Sequence, residues 1–549
     1  MKKAIIYLAV ASMLITACHT ADNDFNISDS SLSYLRGVNF STWFESPSPR
    51  AIPFTRFTEQ DFKNVKSIGV DIIRLPINLH SMTDGAPDYR LNSLFLHFLD
   101  QVVGWAEKHK IYLILDNHSF DPVAATDPDI ENILIPVWIQ MAERYKNRSK
   151  YIMYEILNEP HGIDAQLWGE IQGRVAAAIR GIDTVHSIIV GGVDYNSIDR
   201  LFDLPEYDFN NIIYTFHFYD PYLFTHQGET WGSPPNLRTL AGMPFPSDAH
   251  ALPELSDELK GTWVESSINY SYMQDATVQA MAKQLDKAVS FSQERGGVPL
   301  FCGEFGVHIP NCLPEDRVRW YQETTQLLDD RRISRTSWDY FGGFGIFKTD
   351  QGGLFNSDLN VDIVKAMGFS PPPQKPAKAI LNAFTIFDNY PASLADISHW
   401  SCDLDLYYQN GSKFAISWGN ADRYGTFSLN FRQKIDWDYL QSNGYAITFT
   451  AKTDNDARFD VRFLNREDSS SIPWRLYATT DIAADGQWHT VRIPLSEMRE
   501  QGAWINATEE WRNPEGKFSW TDIVSLSFVA EEHDLHGVTV LFDTIKVER

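Results

Sequence analysis

Two glutamates stand out because each closes a run of apolar residues. Glu159 follows Tyr151 to Asn158 and precedes Pro160, and Glu304 follows Val298 to Gly303 and precedes Phe305-Gly306. A carboxyl at the end of a buried run sits where charge is costly, so its proton affinity is open to tuning. Arg74, Asn117-His118, Asn158, His217-Phe218-Tyr219 and Trp338-Asp339 end or interrupt similar runs. Two carboxyls with opposite protonation states, set on either side of a bond, are what cleavage of a glycosidic linkage requires. In that chemistry Glu159 is the acid/base and Glu304 the nucleophile. Arg74 and the Tyr219 hydroxyl hold Glu304 charged and aimed, and the Glu304 charge raises Glu159 so that it stays protonated. Once Glu304 carries the sugar its charge is gone, and Glu159 turns into a base toward water.

Residues with these tasks must be carried to one place. The predicted strands are Tyr34–Phe40, Val70–Pro76, Ile111–Asn117, Tyr151–Asn158, Ser187–Gly191, Asn211–His217, Val298–Glu304 and Ser334–Tyr340. They are near-continuously apolar, as parallel strands buried on both faces are, and helical patterns separate them. The pattern predicts an α/β fold, a (β/α)8 TIM barrel over residues 34–370, whose strands deliver functional groups at their C-terminal ends. Glu159 and Glu304 then close the fourth and seventh strands. That placement suits the separation of about 5–5.5 Å needed for retention of configuration. A long insertion from Pro221 to near Glu265 carries Trp231 and Trp263 and precedes a helix near Ala276–Glu294. Long segments on this face shape substrate clefts, so Trp231, and Trp43 near the first strand, are expected to contact substrate.

A proline-rich spacer at 371–377 is predicted to be extended and semi-rigid. Beyond it, residues 378–549 alternate in the way of antiparallel strands and predict an all-β sandwich of jelly-roll type. Trp488 to Leu495 and Leu541 to Ile545 give this region a loose likeness to carbohydrate-binding modules. A sandwich that only packs on the barrel and braces it is the other reading.

Arg36-Gly37-Val38-Asn39, Arg74-Leu75-Pro76, Asn158-Glu159-Pro160, His217-Phe218-Tyr219, Gly303-Glu304-Phe305-Gly306 and Trp338-Asp339-Tyr340 occur in this order, each on its own strand. Together they resemble glycoside hydrolase family 5 from about Tyr34 to Gly368. The resemblance implies a retaining, endo-acting enzyme with Glu159 and Glu304 in the roles above. It further implies that Asn158 binds the sugar 2-hydroxyl beside Arg74, His118, His217 and Tyr219, with Trp338 as the floor of that subsite. Many members carry paired histidines after the third strand. Here Ser119 follows His118, so His118 is the match.

The N-terminus reads as processing signal. Lys2-Lys3 and the apolar run Ala4 to Ala17 form a signal peptide over residues 1–17, and Ile15-Thr16-Ala17-Cys18 resembles a lipobox. Lipidation at Cys18, a tether over 18–33 and a secreted lipoprotein on a bacterial outer membrane or cell surface are expected. The 47 basic and 72 acidic residues give a net charge of −25, which repels nucleic acid and suits a neutral polysaccharide partner. The chain has 4 cysteines, too few for a disulfide scaffold, and pairing of Cys302 with Cys312 stays open. Neither a His-Glu-x-x-His run nor a phosphate-binding glycine loop occurs, so no metal and no cofactor is expected, and the chain is expected to be a monomer. The expected activity is an endo-β-1,4-glucanase on cellulose-like or mixed-linkage glucans. A β-1,4-mannanase or glucomannanase is the alternative within the same chemistry, and a non-catalytic surface glycan-binding lipoprotein is the alternative outside it.

Overall fold

The structure is a computed structural model that describes residues 34–549 apart from 233–235, 351, 468–470 and 507. Cys18 and the expected signal peptide lie outside the described residues. Among the described residues, no helix is long and apolar enough to cross a membrane.

Eight parallel strands close into a barrel in chain order. They are β1 (Arg36–Asn39), β2 (Ile72–Ile77), β3 (Tyr112–Asn117), β4 (Ile152–Glu155), β5 (Ser187–Gly191), β6 (Ile212–Phe218), β7 (Leu300–Phe305) and β8 (Ser334–Ser337). Helices such as Ser93–His109, Ala165–Arg180 and Pro314–Asp330 form the outer ring, each burying an apolar stripe against the strands. The period of two along each strand stacks the interior in layers. Ile72, Ile114 and Met153 join Leu35, Ile189 and Phe301 in an apolar layer at the N-terminal end. Two residues further along the same strands stand Arg74, Asp116 and Glu155, all buried. The barrel therefore changes from hydrocarbon to charge within one pleat, just below its C-terminal mouth.

The connection from β6 to the helix Val278–Glu294 is no open loop. Leu237, Leu240, Met243, Phe245, Leu259, Val264 and Tyr272 are buried in it, so it folds onto the barrel as a packed insertion.

The C-terminal region is a sandwich of two antiparallel sheets around an aromatic core that includes Trp418, Phe427, Phe449, Phe459, Phe528 and Phe542. The proline-rich run leading to it lies along the barrel, with the Leu359 N–H donating to Gln374 Oε1 at 2.9 Å and the Lys375 N–H to Asn356 O at 2.8 Å. The sandwich packs on the barrel directly. Tyr407 is buried within the barrel's own hydrophobic cluster, its hydroxyl donating to Ile52 O at 2.5 Å and accepting from Phe54 N–H at 3.2 Å. Phe98 meets the Tyr407 ring edge-on at 4.9 Å, and His97 Nε2 bonds the Tyr390 hydroxyl at 2.7 Å.

Candidate active site

Arg74 organises the mouth of the barrel. Fully buried on β2, it donates from Nη1 to Glu304 Oε1 at 2.7 Å and from Nη2 to Asn158 Oδ1 at 2.7 Å. Its Nε and Nη2 grip both oxygens of Glu155 at 2.8 and 2.9 Å, and Nη2 lies 3.0 Å from Asp116 Oδ2. Burial opposes the charge on this guanidinium. Asp116, Glu155 and Glu304 more than offset that and hold it well above the ordinary arginine range. Asn39 sets its direction: Oδ1 accepts from Arg74 Nη1 at 3.1 Å, while Nδ2 donates to the carbonyls of Gly303 and Ser337 at 3.0 and 3.1 Å.

Glu304 is thus fixed from two sides. Arg74 holds one oxygen, and the Tyr219 hydroxyl donates to Oε2 at 2.9 Å. A Cβ at Gly303, the residue before it, would lie 3.0 Å from Thr215 Oγ1 and 3.1 Å from His217 Nε2, so a larger residue there must push these side chains aside. A bulge in the β6–β7 pairing then brings His217 opposite Glu304.

Glu159 follows β4 in a left-handed conformation, φ 45°, which costs a non-glycine residue about 1–2 kcal/mol. His161 Nδ1 bonds its carbonyl at 2.9 Å and helps hold it. His217 Nδ1 lies 2.6 Å from Glu159 Oε1 and 3.6 Å from Glu304 Oε2. One donor atom each from Glu159, His217 and Glu304 fall within 4.8 Å of one another. This closest approach lies nearer the roughly 5–5.5 Å of a retaining carboxyl pair than the roughly 6.5–9.5 Å of an inverting one. These three residues also make the one cluster among the described residues with metal-ligand spacing. Glu159 is bonded to His217, and Glu304 to Arg74 and Tyr219.

The two carboxyls differ in environment. Burial raises Glu159 to about 7, while the charges of His118 and Arg74 oppose the rise. The sequence reading credited this rise to Glu304. The structure corrects the cause: desolvation dominates. Burial also lowers His217 to about 4, so it is a neutral imidazole near pH 7. His118 behaves in the opposite way. Burial would lower it, but Asp116, bonded to Nδ1 at 2.7 Å, lifts it to about 9. Its ring stacks on Trp338 at 5.5 Å and 11°.

Of the residues singled out in the sequence, Arg74, His118, Asn158, Glu159, His217, Tyr219, Glu304 and Trp338 converge here. Trp231 lies in the insertion, 47% exposed and edge-on to His308 at 5.1 Å. Trp43 does not belong to the cleft. It is fully buried, its Nε1 donates to Phe54 O at 2.9 Å and its ring packs edge-on against Phe57 at 5.2 Å. An indole whose N–H finds a partner inside the core is a packing residue. Cys302 and Cys312 are both free and buried.

The structure also gives parts in the site to residues outside the expected catalytic and substrate-binding set. Glu155 and Asp116 are interior counter-charges to Arg74, and Asn39 orients it. Glu45 lies with Oε1 3.8 Å from His118 Nε2, and burial raises its carboxyl above the ordinary range. The signal for Glu155 was present: an acid inside Ile152-Met153-Tyr154-Glu155-Ile156-Leu157 can be buried only against a cation.

The sequence model of the family described as "Cellulase (glycosyl hydrolase family 5)" matches residues 27–342, more than half of the 549-residue chain. The chain belongs to glycosyl hydrolase family 5. Endoglucanase C of Acetivibrio thermocellus is 28% identical over 327 residues, covering 56% of this chain and 92% of the relative. Endoglucanase H of the same organism is 25% identical over 541 residues, a match that takes in 92% of this family 5 chain and about half, 54%, of the relative. Endoglucanase Cel5A of Thermotoga maritima shares the fold, with a TM-score of 0.50 and 24% identity over 60% of this chain and 96% of that one. The family 5 chain is a glycoside hydrolase, and its substrate is a β-glycan.

If Glu159 supplies the proton, the family 5 hydrolase is active only while that carboxyl is protonated. Since its folded value is raised to about 7, the acid form persists through neutral pH, and kcat/KM falls about tenfold per unit above that value. Glu159→Gln removes this alkaline limb along with most of the rate. A limb that survives in the glutamine variant shows that another group titrates.

Proposed function

We propose that the protein is a retaining endo-β-1,4-glucanase in which Glu304 attacks the anomeric carbon and Glu159 protonates the departing oxygen. The observation that carries this reading is the carboxyl pair itself: donor atoms within 4.8 Å of each other, one carboxyl bonded to Arg74 and Tyr219, the other raised to about 7 by burial. Neutral His217, donating through Nδ1 to one Glu159 oxygen, leaves the other to carry the transferable proton. Formation of the Glu304 ester removes a charge from the site, the Glu159 carboxylate then takes a proton from water, and the hydroxyl attacks the same carbon to release the β-anomer. Asn158, oriented by Arg74, is placed to bond the sugar 2-hydroxyl, and Trp338, backed by His118, offers a flat face to the ring.

Glucan is favoured over mannan because the relatives matched over most of their length or of this chain carry endoglucanase names. Reducing-end release from carboxymethylcellulose, mixed-linkage glucan, glucomannan and mannan tests the choice. The expected result is fast release from the first two with internal cleavage; activity on mannan alone overturns it. The C-terminal sandwich is read as a glycan-binding domain docked on the barrel, and the match to Endoglucanase H, which extends past the barrel, supports treating the two as one unit. Lipidation at Cys18 and a surface location follow from the lipobox pattern. Cys18→Ala is expected to release the chain from membranes, and unchanged association contradicts the anchor.

A further inference from the structure

The second sheet of the C-terminal sandwich runs in the order Ala395–Trp400, Thr426–Phe431, Ile523–Val529, Ala457–Asn465, Arg475–Ile482, Arg499–Ile505, Glu510–Arg512. One face is core, with Phe427, Phe459, Val461 and Phe528. Strand alternation sends their neighbours to the other face, where the floor is polar. Ser428 lies opposite Ser527, Ser527 opposite Arg462, Arg462 opposite Tyr477, and two pairs further along, on the same face, stands Arg475. Both rims are aromatic. Trp400, 62% exposed, stands on the first strand, and Trp511, 42% exposed, stands on the last. The Trp511 ring lies over Gly502, where an added Cβ would come within 2.7 Å of Cζ2, and the Arg475 guanidinium is 5.6 Å from its centroid.

This floor is built to be completed from outside. Arg462 is 7% exposed and donates to Glu531 at 2.6 Å, and Gln501 Nε2 donates to the same carboxylate at 3.1 Å. Yet Arg462 Nε, Arg475 Nε and Gln501 Oε1 are buried with no hydrogen-bond partner. Buried polar atoms are nearly always bonded, so three unpartnered ones on adjoining strands mark a place that hydroxyl groups can enter. With Asp460 and Glu531 beside Arg462, the floor is locally balanced in charge, which suits an uncharged ligand. Flat rims and a hydroxyl-seeking floor together describe a sugar polymer.

We propose that this face is a second β-glucan site, in which a neutral β-1,4-linked chain crosses the strands from Trp400 to Trp511 and bonds Arg462, Tyr477 and Arg475. The proposal rests on the glucan reading above. It is tested by titration calorimetry of the full chain bearing Glu304→Gln with cellohexaose. Two sites per chain are expected, and Trp511→Ala or Trp400→Ala each weaken one of them about tenfold or more, as loss of an aromatic anchor does. Trp488→Ala, an exposed tryptophan beside Lys452 on the other sheet, serves as the control and leaves both sites unchanged. A one-site isotherm, or rim variants that behave like Trp488→Ala, overturns the proposal. Hydrolysis of mixed-linkage glucan by the native chain is measured alongside. Hydrolysis with one-site binding refutes the second site alone, whereas no hydrolysis of any glucan refutes the functional reading and the proposal with it.

Discussion

Glu304→Ala lowers kcat on β-glucan by on the order of 10^5-fold, as removal of a catalytic nucleophile does. That corresponds to roughly 7 kcal/mol of lost transition-state stabilisation. No neighbour can take over. Glu159 is bonded to His217 and kept protonated by burial, while Glu155 and Asp116 lie beneath the mouth and are tied to Arg74. The fold survives the change, because Arg74 keeps Glu155 and Asp116 as counter-charges when Glu304 is gone. Initial rates on a soluble glucan, with far-ultraviolet circular dichroism as the check on folding, give the result. A folded variant within tenfold of the native rate removes Glu304 from the mechanism.

Arg74→Met damages both stability and catalysis. It leaves Asp116, Glu155 and Glu304 in a buried layer without their shared cation, and breaking such a contact costs about 3–5 kcal/mol. The loss depends on pH with a definite sign. Burial already raises Glu155 above its ordinary value, and without the guanidinium it rises further. Protonated at low pH, Glu155 spares the fold an uncompensated charge. The destabilisation is therefore smallest near the ordinary carboxylate range and grows as pH rises through the raised value. Urea midpoints of native and variant chains at pH 5 and pH 8 measure it, and a gap that narrows at the higher pH contradicts the assignment. The rate falls as well, by about 10²–10³-fold, because Glu304 and Asn158 lose the donor that aims them.

The barrel was legible because its strands are apolar runs ending in chemistry-bearing residues, and eight such runs admit few architectures. The convergence of Glu159, Glu304, Arg74 and Tyr219 at one end of the barrel was legible for the same reason. What the sequence did not disclose depends on which way a side chain turns. Trp43 follows β1 toward the catalytic face, and only three-dimensional packing shows its indole turned into Phe54 and Phe57. That Glu155 and Asp116 turn inward onto Arg74 depends on the pleat of their strands. The cause of the Glu159 shift was also invisible, because desolvation depends on enclosure while a neighbouring charge can be read from a motif. The proline-rich run lies between the helix Val361–Ala366 and the first strand of the sandwich, Phe384–Asp388. It could not reveal that Tyr407, from beyond that run, completes the barrel's own core.

The account depends above all on a double displacement at carboxyls set within 4.8 Å of each other. Proton NMR of the first product released from a β-glucan oligosaccharide, recorded before mutarotation, tests it most directly. The β-anomer appearing first is the predicted result. The α-anomer appearing first contradicts the assignment of Glu304 as nucleophile.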